Sequence, residues 1–368
     1  MLNLAMSIPS THAFDAPLTV YQQQAEVVFA ALLAGDSDAA WRFKWMHPRF
    51  KGRPVTDVSH ATLDLEDARL LIAKEHYFQD WSRLESFTRA VCDDESVRRF
   101  ELSVEATIHG DTETLDSLLK QHPALVNERS LRTHNATLLH YLGANGVEEY
   151  RQRTPPSAVE VAKLLLEAGA APDALADMYD HQCTTMSLLV SSSHPYKAGL
   201  QVALAETLLD YGAALEGPGT NWSSTVLTAL QFGYLETARA LVNRGGKVEN
   251  LVIAAGLGRV DDTIRLLPSA ESLARHQALA LAAQLGQLNT TRLLLDAGEN
   301  PNRLNPEGYH AHSTPLHQAV WAGQLDIVKL LVVHGARKDI RDTLYDGTAL
   351  DWANHGKRRA IAEYLQQG

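Results

Sequence analysis

The sequence predicts an all-α chain of stacked helix pairs, a solenoid, and three features carry that prediction. The first is a repeated grammar of a small-residue or aliphatic helix, a glycine turn, and a second helix with an aliphatic run. Gln231-Phe-Gly-Tyr-Leu-Glu-Thr-Ala-Arg-Ala-Leu-Val is followed by Gly256-Leu-Gly-Arg-Val-Asp-Asp-Thr-Ile-Arg-Leu-Leu. Gln284-Leu-Gly-Gln-Leu-Asn-Thr-Thr-Arg-Leu-Leu-Leu and Trp321-Ala-Gly-Gln-Leu-Asp-Ile-Val-Lys-Leu-Leu-Val repeat it again. The second is spacing: the turn glycines fall at 233, 258, 286, 323 and 356, at intervals of 25, 28, 37 and 33 residues. The third is the ending of the second helix, a Leu-Leu-x-x-Gly pattern at Leu165–Gly169, Leu208–Gly212 and Leu294–Gly298, echoed at Leu331–Gly335. Glycine there supplies a left-handed residue that ends a helix at little cost. Each pair has one apolar face too small to be stable alone, and stacking neighbours makes a continuous core.

Taken in order, residues 1–20 read as a flexible tail and 21–96 as an N-terminal helical region that caps the array. Within that region 24–50 reads as a degenerate helix pair. Ala34-Gly-Asp-Ser-Asp-Ala-Ala with His47-Pro48 matches His109-Gly-Asp-Thr-Glu-Thr-Leu with His122-Pro123 at an offset of 75 residues. Leu63 to Leu84 reads as a helix, a turn and a second helix, with Trp81 and Leu84 docking. Residues 97–368 form the array of about eight repeats, some degenerate, whose first helices open at Thr137, Thr184, Thr225, Thr314 and Thr348. The short intervals leave too little chain for full β-hairpin fingers between about 245 and 276, where Pro268 also intervenes. Two insertions, Gly146–Pro156 and Ser192–Gly199, interrupt the second and third repeats. The polar end, Lys357, Arg358, Arg359, Glu363, Gln366 and Gln367, suits a terminal cap.

A period near 33 with Thr314-Pro-Leu-His317-Gln-Ala at the start of a repeat resembles the ankyrin family. Thr314 suits the helix cap, Pro315 the first turn, and Leu316 and Ala319 the inner face. The resemblance covers about 97–368 and implies a rigid scaffold whose fingers and inner helices line a concave groove. The Leu63–Leu84 segment, Asn145-Gly-Val-Glu-Glu-Tyr-Arg-Gln-Arg-Thr-Pro-Pro and Tyr309-His-Ala-His-Ser-Thr-Pro-Leu-His together resemble a bacterial group of ankyrin-repeat proteins. That second resemblance implies an architecture and no particular activity.

Composition narrows the function. The 368 residues carry 33 Lys+Arg against 44 Asp+Glu, a net charge of −11, which gives no general attraction for nucleic acid or anionic lipid. Two cysteines, Cys92 and Cys183, exclude a disulfide framework. The start, Met1-Leu-Asn-Leu-Ala-Met-Ser-Ile-Pro-Ser, lacks a basic n-region, and no apolar run reaches the roughly 18 residues of a membrane helix. A cytoplasmic protein without cofactor is the expectation. The phosphate loop, the nucleophile elbow and the His-Glu-x-x-His motif are absent, and Gly256-Leu-Gly258 sits in a helix turn rather than after a strand. Cys183 with His181 two residues away is a weak nucleophile candidate with no third orienting group.

The groove candidates come from the register. Three, four and five residues before the opening threonines stand His134, Tyr179, Asp180, His181, Asn221, Trp222, Tyr309, His310 and Tyr345, joined by His312, Trp321 and, on an inner helix, Tyr141. Aromatic and histidine side chains on fingers are not needed for the helix core, and such side chains anchor interfaces; finger-on-finger stacking is the bland alternative. Trp321 is the more natural core residue, and Tyr141 less so. His310 and His312, two apart on an extended finger, share a face and with His317 make a weak metal candidate, with Asp342 or Asp346 as further ligands. The structural alternative is that a histidine in the Thr-Pro-Leu-His slot, His317 or His140, ties finger to helix. Arg42, Lys44, Arg49, Lys51 and Arg53 interleave with Trp41, Phe43, Trp45 and Phe50, which suits single-stranded nucleic acid. The four-residue Trp41–Trp45 spacing favours a docked amphipathic helix instead. Glu148, Glu149, Asp173, Asp177 and Asp180 read as solvated loop charges.

The expected function is non-catalytic engagement of a partner protein along the concave groove. The alternative is a small-molecule or metal-dependent enzyme with its site near His310 and His312. Replacing Leu330 or Leu331 with Ala is expected to cost about 2–5 kcal/mol, whereas Tyr309 or Tyr345 serving a partner would leave stability nearly unchanged; thermal unfolding of the four variants separates the two classes.

Overall fold

Side-chain caps set where the inner helices begin. The Thr184 hydroxyl accepts from Ser187 N at 3.2 Å, and the Thr348 hydroxyl accepts from Asp351 N at 3.2 Å while the Asp351 carboxylate accepts from Thr348 N at 2.8 Å. The third opening sits one residue earlier than the threonine spacing implied. Ser224 caps the helix, its hydroxyl accepting from Leu227 N at 3.4 Å, and Thr225 is buried as its first residue. Asn250 caps the next inner helix through Ile253 N at 2.9 Å, a start that carries no threonine.

The computed structural model describes residues 14–143, 147–216 and 224–367, and the chain divides into two units, Met1–Asn221 and Trp222–Gly368. Asn221 and Trp222, both expected in the groove, lie outside the described residues, as do residues 1–13 of the expected tail. From Phe14 onward the chain is packed: Phe14 is buried and a helix starts at Leu18.

The first unit opens with five helices, Leu18–Leu33, Ser37–Met46, Thr56–His60, Leu65–Glu75 and Trp81–Asp93. They close on a core that includes Tyr21, Phe43, Phe50, Leu71, Phe78, Leu84 and Phe87. The 75-residue repeat is real in geometry. Asp36 and Asp111 cap their helices after left-handed Gly35 and Gly110, and His47-Pro48 and His122-Pro123 both lead into a 3-10 turn. Three helix pairs follow: Glu95–His109 with Thr112–Gln121, His140–Gly143 with Ala158–Glu167, and Thr185–Leu189 with Gln201–Asp210. One finger is a regular antiparallel hairpin, β1 (Ala176–Met178) with β2 (His181–Cys183). Tyr179 and Asp180 form its tip at φ 54° and 61°, the paired left-handed residues that a two-residue hairpin turn requires.

The second unit holds five pairs: Thr225–Gln231 with Leu235–Asn243, Leu251–Gly256 with Val260–Leu266, Ser272–Gln284 with Leu288–Asp296, Pro315–Ala322 with Leu325–Val333, and Ala349–His355 with Arg359–Gln366. The inner helices supply small residues such as Ala255, Ala282, Ala319 and Ala353 to the core, and the outer ones Leu294, Val328, Leu331 and Ile361. No strand forms between 245 and 276 among the described residues, and Pro268 lies in a 3-10 turn. The chain between Asp296 and Pro315 is correspondingly long, and Gly308 and Tyr309 reach back to Gln231 on the first inner helix of the unit. The long finger thus covers ground that the fingerless pairs leave open.

Between the two helices of a pair, the turn residue is left-handed glycine at 233, 258, 286 and 323. Two of these glycines do more than turn. The side chain of Gln287 lies over Gly258, and that of Gln324 over Gly286, where a Cβ would fall 2.6 Å from the Gln324 amide oxygen. In the last pair the slot moves. Gly356, assigned to it by spacing, has φ −76°, and Lys357 takes the left-handed position at φ 55°. Gly286→Ala should therefore cost about 1–2 kcal/mol from its left-handed backbone and should also displace Gln324. Urea unfolding checks this against Ala at the exposed, right-handed Gln366.

Candidate binding surface

In the second unit the site is built outward from Asp342. Its buried carboxylate accepts from Leu344 N at 2.9 Å, Tyr345 N at 2.6 Å, Gly347 N at 2.9 Å and the Trp352 indole N–H at 2.9 Å. Burial opposes the charge, but these donors, Tyr345 N foremost, hold the acid below its ordinary range. One carboxylate thus shapes the finger turn and orients Trp352.

Around Trp352 the rings touch in series. His312 lies 5.8 Å from Trp352 and 6.1 Å from Tyr345, centroid to centroid, and 6.1 Å from His310. Trp321 meets Trp352 edge-on at 6.1 Å and stacks on His355 at 6.2 Å with the planes 19° apart. These are attractive ring geometries, and they leave much of the aromatic surface outside: Trp321 is 46% exposed and Tyr345 51%, with Leu344 and His355 also exposed. Trp321, a groove candidate for which core packing was the alternative, is therefore a surface residue, whereas Tyr141, the other inner-helix candidate, is buried. Their positions decide this, since Trp321 ends its inner helix and Tyr141 sits inside a polar cluster.

The histidines divide. His317 Nδ1 accepts from Thr314 N at 3.3 Å and from its hydroxyl at 2.8 Å, so Nε2 carries the proton and donates to Gly347 O at 3.2 Å. His140 does the same with Thr137 and with Ala174 O at 2.9 Å. Both nitrogens of His317 are spent on the fold, so it is removed from the metal candidates. Among the described residues no group of three or more His, Cys, Asp or Glu side chains is placed to hold a metal ion. His310 is left-handed at φ 62° and its carbonyl accepts from Ser313 N at 3.0 Å, so the segment is a turn and not the extended strand expected. Burial pushes His310 down to about 4 and lowers His312 as well.

Of the remaining candidates, His134, Tyr179, Asp180 and His181 lie in the first unit, where His134 is buried and the other three are exposed, and Tyr309 lies in the second. Thr133 N and its hydroxyl both donate to Tyr77 O, at 2.8 and 2.9 Å, and Asp177 N donates to His134 O at 2.7 Å. The turn after Leu65–Glu75 thus takes the part of a finger and lies against the first true finger. In the second unit Thr343 N donates to His312 O at 2.8 Å in the same manner. His134 is buried between Tyr77 and Tyr141, with Nδ1 accepting from Ala136 N and Nε2 3.4 Å from Glu148. Tyr179 and His181 are exposed, and Asp180 meets Lys51 at 3.2 Å in a solvated pair worth little. Tyr309 is buried, 6% exposed, by its role in the long finger. Cys183 is buried and its thiol is pushed up by burial, the wrong direction for a nucleophile.

Glu148, read as a solvated loop charge, is instead the centre of a buried charge cluster. Its carboxylate accepts from Tyr141 at 2.5 Å, Tyr150 at 2.7 Å and Arg151 Nε at 2.6 Å, with Arg132 Nε at 3.4 Å. Glu101 takes Arg132 at 2.6 Å and Arg151 at 3.0 Å, and Arg151 also reaches Glu105 at 2.7 Å. Burial would raise the Glu148 acid, but the Arg132 and Arg151 guanidiniums override it and hold the carboxyl well below the usual range. The insertion around residues 147–156 is therefore a plug pinned by charge. The basic–aromatic patch at 41–53 is partly engaged, with Trp41 stacked on Trp45, Arg42 forked onto Glu75, Arg49 donating to Thr62 O and Arg53 3.9 Å from Asp57, while Trp45 stays exposed.

A family model described as ankyrin repeats (3 copies) matches residues 229–342 and 279–368. Ankyrin repeats are present in the chain, and the fold is an all-α ankyrin solenoid. The chain is 39% identical over 82 residues to mouse ankyrin repeat and SOCS box protein 6, covering 22% of this chain and 19% of that protein. It is 29% identical over 136 residues to human cyclin-dependent kinase 4 inhibitor B, covering 36% of this chain and 95% of the inhibitor. The solved ankyrin repeat domain of human ASB11 aligns over 72% of this chain and 96% of its own at 19% identity, with a TM-score of 0.38. The chain spans about a fifth of the mouse relative. No described helix is long and apolar enough to cross a membrane.

The histidine ties make stability depend on pH. His140 is neutral in the fold, pushed down to about 4 by burial, against about 6.5 when unfolded. Its contribution is complete above about pH 6.5 and is lost as pH falls toward about 4, at no more than about 1.4 kcal/mol per pH unit. Urea midpoints across that window should fall less steeply for His140→Asn than for wild type. Equal slopes would mean that His140 does not hold its depressed value.

Proposed function

We propose that the chain is a non-catalytic binding module that holds a partner protein on the aromatic face of its second unit. The face is made by the finger around 342–347 and the inner helices Pro315–Ala322 and Ala349–His355. The observation that carries the reading is the continuous ring series from His310 to His355, held in place by Asp342 and still exposed at Trp321 and Tyr345. Large, pre-oriented aromatic side chains that stay in water in the free protein gain most from being covered, and they are the usual anchors of interfaces. Ankyrin repeats are in general protein-interaction modules, and one relative is named for inhibiting another protein.

The concave groove expected along all the fingers contracts, on this reading, to the second unit. We assign 21–96 as a cap on the repeats of 97–368; the packing of Trp81–Asp93 on Glu95–His109 and the finger-like Tyr77 turn support that assignment. The bacterial grouping rests on the three quoted segments.

The test is affinity capture of the full chain from its host's lysate beside a Trp321→Ala/Tyr345→Ala variant with unchanged circular dichroism. A stoichiometric protein retained by wild type and reduced at least about tenfold by the variant is expected, since truncating an anchor typically costs more than 1–2 kcal/mol. Equal retention by both would assign the partner to another surface.

A further inference from the structure

The aromatic face ends on a run of three cations, one of which, Arg358, is hydrogen-bonded into the fold. Trp321 and His355 stack, and Arg358 lies beside them, donating Nε at 3.2 Å and Nη2 at 2.8 Å to Trp321 O. Lys357 and Arg359 flank it in sequence, and all three are exposed. Among the described residues none of the three meets a carboxylate within 4.0 Å, although the chain as a whole carries −11. Of the acids in this region, Asp342 is held by its four donors, Asp346 pairs with Arg341 and Asp351 accepts from Thr348, while Glu363, four residues beyond Arg359 on the same helix, is exposed.

Local folding opposes this run. Lys357 stands in the left-handed slot that is glycine at 233, 258, 286 and 323, at a cost of about 1–2 kcal/mol for a side chain. Arg359 stands where the other outer helices of the unit begin with Leu235, Val260, Leu288 and Leu325. Three of those four helices carry an acid in the first turn, and the last carries none, so the helix dipole is met by like charge. A solvated cap needs polar residues, but Glu or Gln would serve with less conflict.

We propose that this end of the aromatic face takes an acidic peptide segment of the partner. An apolar or aromatic side chain would lie on Trp321 and His355, and neighbouring Asp or Glu carboxylates would sit on Lys357, Arg358 and Arg359. The inference rests on the binding-module reading and adds the chemistry of the partner. Nucleic acid is disfavoured because it needs a long track of cations, and the rest of the chain repels phosphate.

The test is selection of a random dodecapeptide phage library on the immobilised full chain, with the selected consensus measured by fluorescence anisotropy. Comparison proteins are Lys357→Glu/Arg359→Glu and Trp321→Ala/Tyr345→Ala, each first shown to keep the wild-type circular dichroism and unfolding midpoint. The expected consensus is net acidic with at least one apolar residue. Its affinity should fall about tenfold or more on charge reversal and weaken with added salt. A neutral or basic consensus lost only in the Trp321/Tyr345 variant overturns the acidic partner and leaves the aromatic face standing. A consensus indifferent to both variants, or no enrichment over uncoated support, overturns both. Tight binding of labelled oligo(dT), abolished by the charge reversal, would assign the cations to nucleic acid and overturn the proposal.

Discussion

A repeat of this kind can bury its apolar face only against the next repeat, so the structure depends on neighbours being held at a fixed spacing. Packing of leucine on alanine supplies the energy but little direction. Direction comes from polar ties that run from one repeat to the next, and the most regular is a neutral imidazole. His140, His276 and His317 each donate Nε2–H to a carbonyl of the following finger, Ala174, Leu304 and Gly347. In two of them Nδ1 also accepts from the capping threonine. Only the neutral ring can accept at one nitrogen and donate at the other, which is why burial and function of these histidines agree.

At the start of the chain the same problem is met with charge. The two Glu and two Arg of the fully buried cluster balance, so the interior carries no net charge there, and Tyr141 and Tyr150 fill remaining acceptor sites on Glu148. Such a cluster contributes little net stability over an apolar core of the same shape, but removing one member leaves a buried ion unpaired and is severe. Its value lies in register. Arg132 is on a finger, Glu101 on the helix Glu95–His109, and Glu148 and Arg151 on the insertion, so the pairing is satisfied only when all three arrive together.

The parts of this architecture that were legible in the sequence are those written in short spacings. Thr314-Pro-Leu-His317, the turn glycines and the leucine endings each lie within one turn or one loop, where residue type and conformation are tightly coupled. The sequence is ambiguous where two neighbours can fill one slot. Ser224 and Thr225 are both good caps, and Gly356 precedes the Lys357 that takes the left-handed position. Glu148 was illegible for another reason: its partners Arg132 and Glu101 come from other elements, and nothing local distinguishes it from Glu149, which is exposed. Tyr77 carries no signal in the sequence, because a finger-like turn has no periodicity to announce it.

The contrast between Tyr309 and Tyr345 shows how the fold selects its own surface. Both are finger tyrosines in similar sequence settings, and sequence logic treats them alike. Tyr309 belongs to a finger lengthened to span two pairs that have none, so its ring is drawn inward toward Gln231 and buried. Tyr345 belongs to a short finger held from within by Asp342, with no gap to cover, so its ring stays outside. The first unit repeats the lesson at larger scale, because its leading finger is covered by the Tyr77 turn and the 147–156 plug. An aromatic residue on a finger therefore stays exposed only where the chain has no vacancy of its own to fill, as at Tyr345 and at the hairpin tip Tyr179.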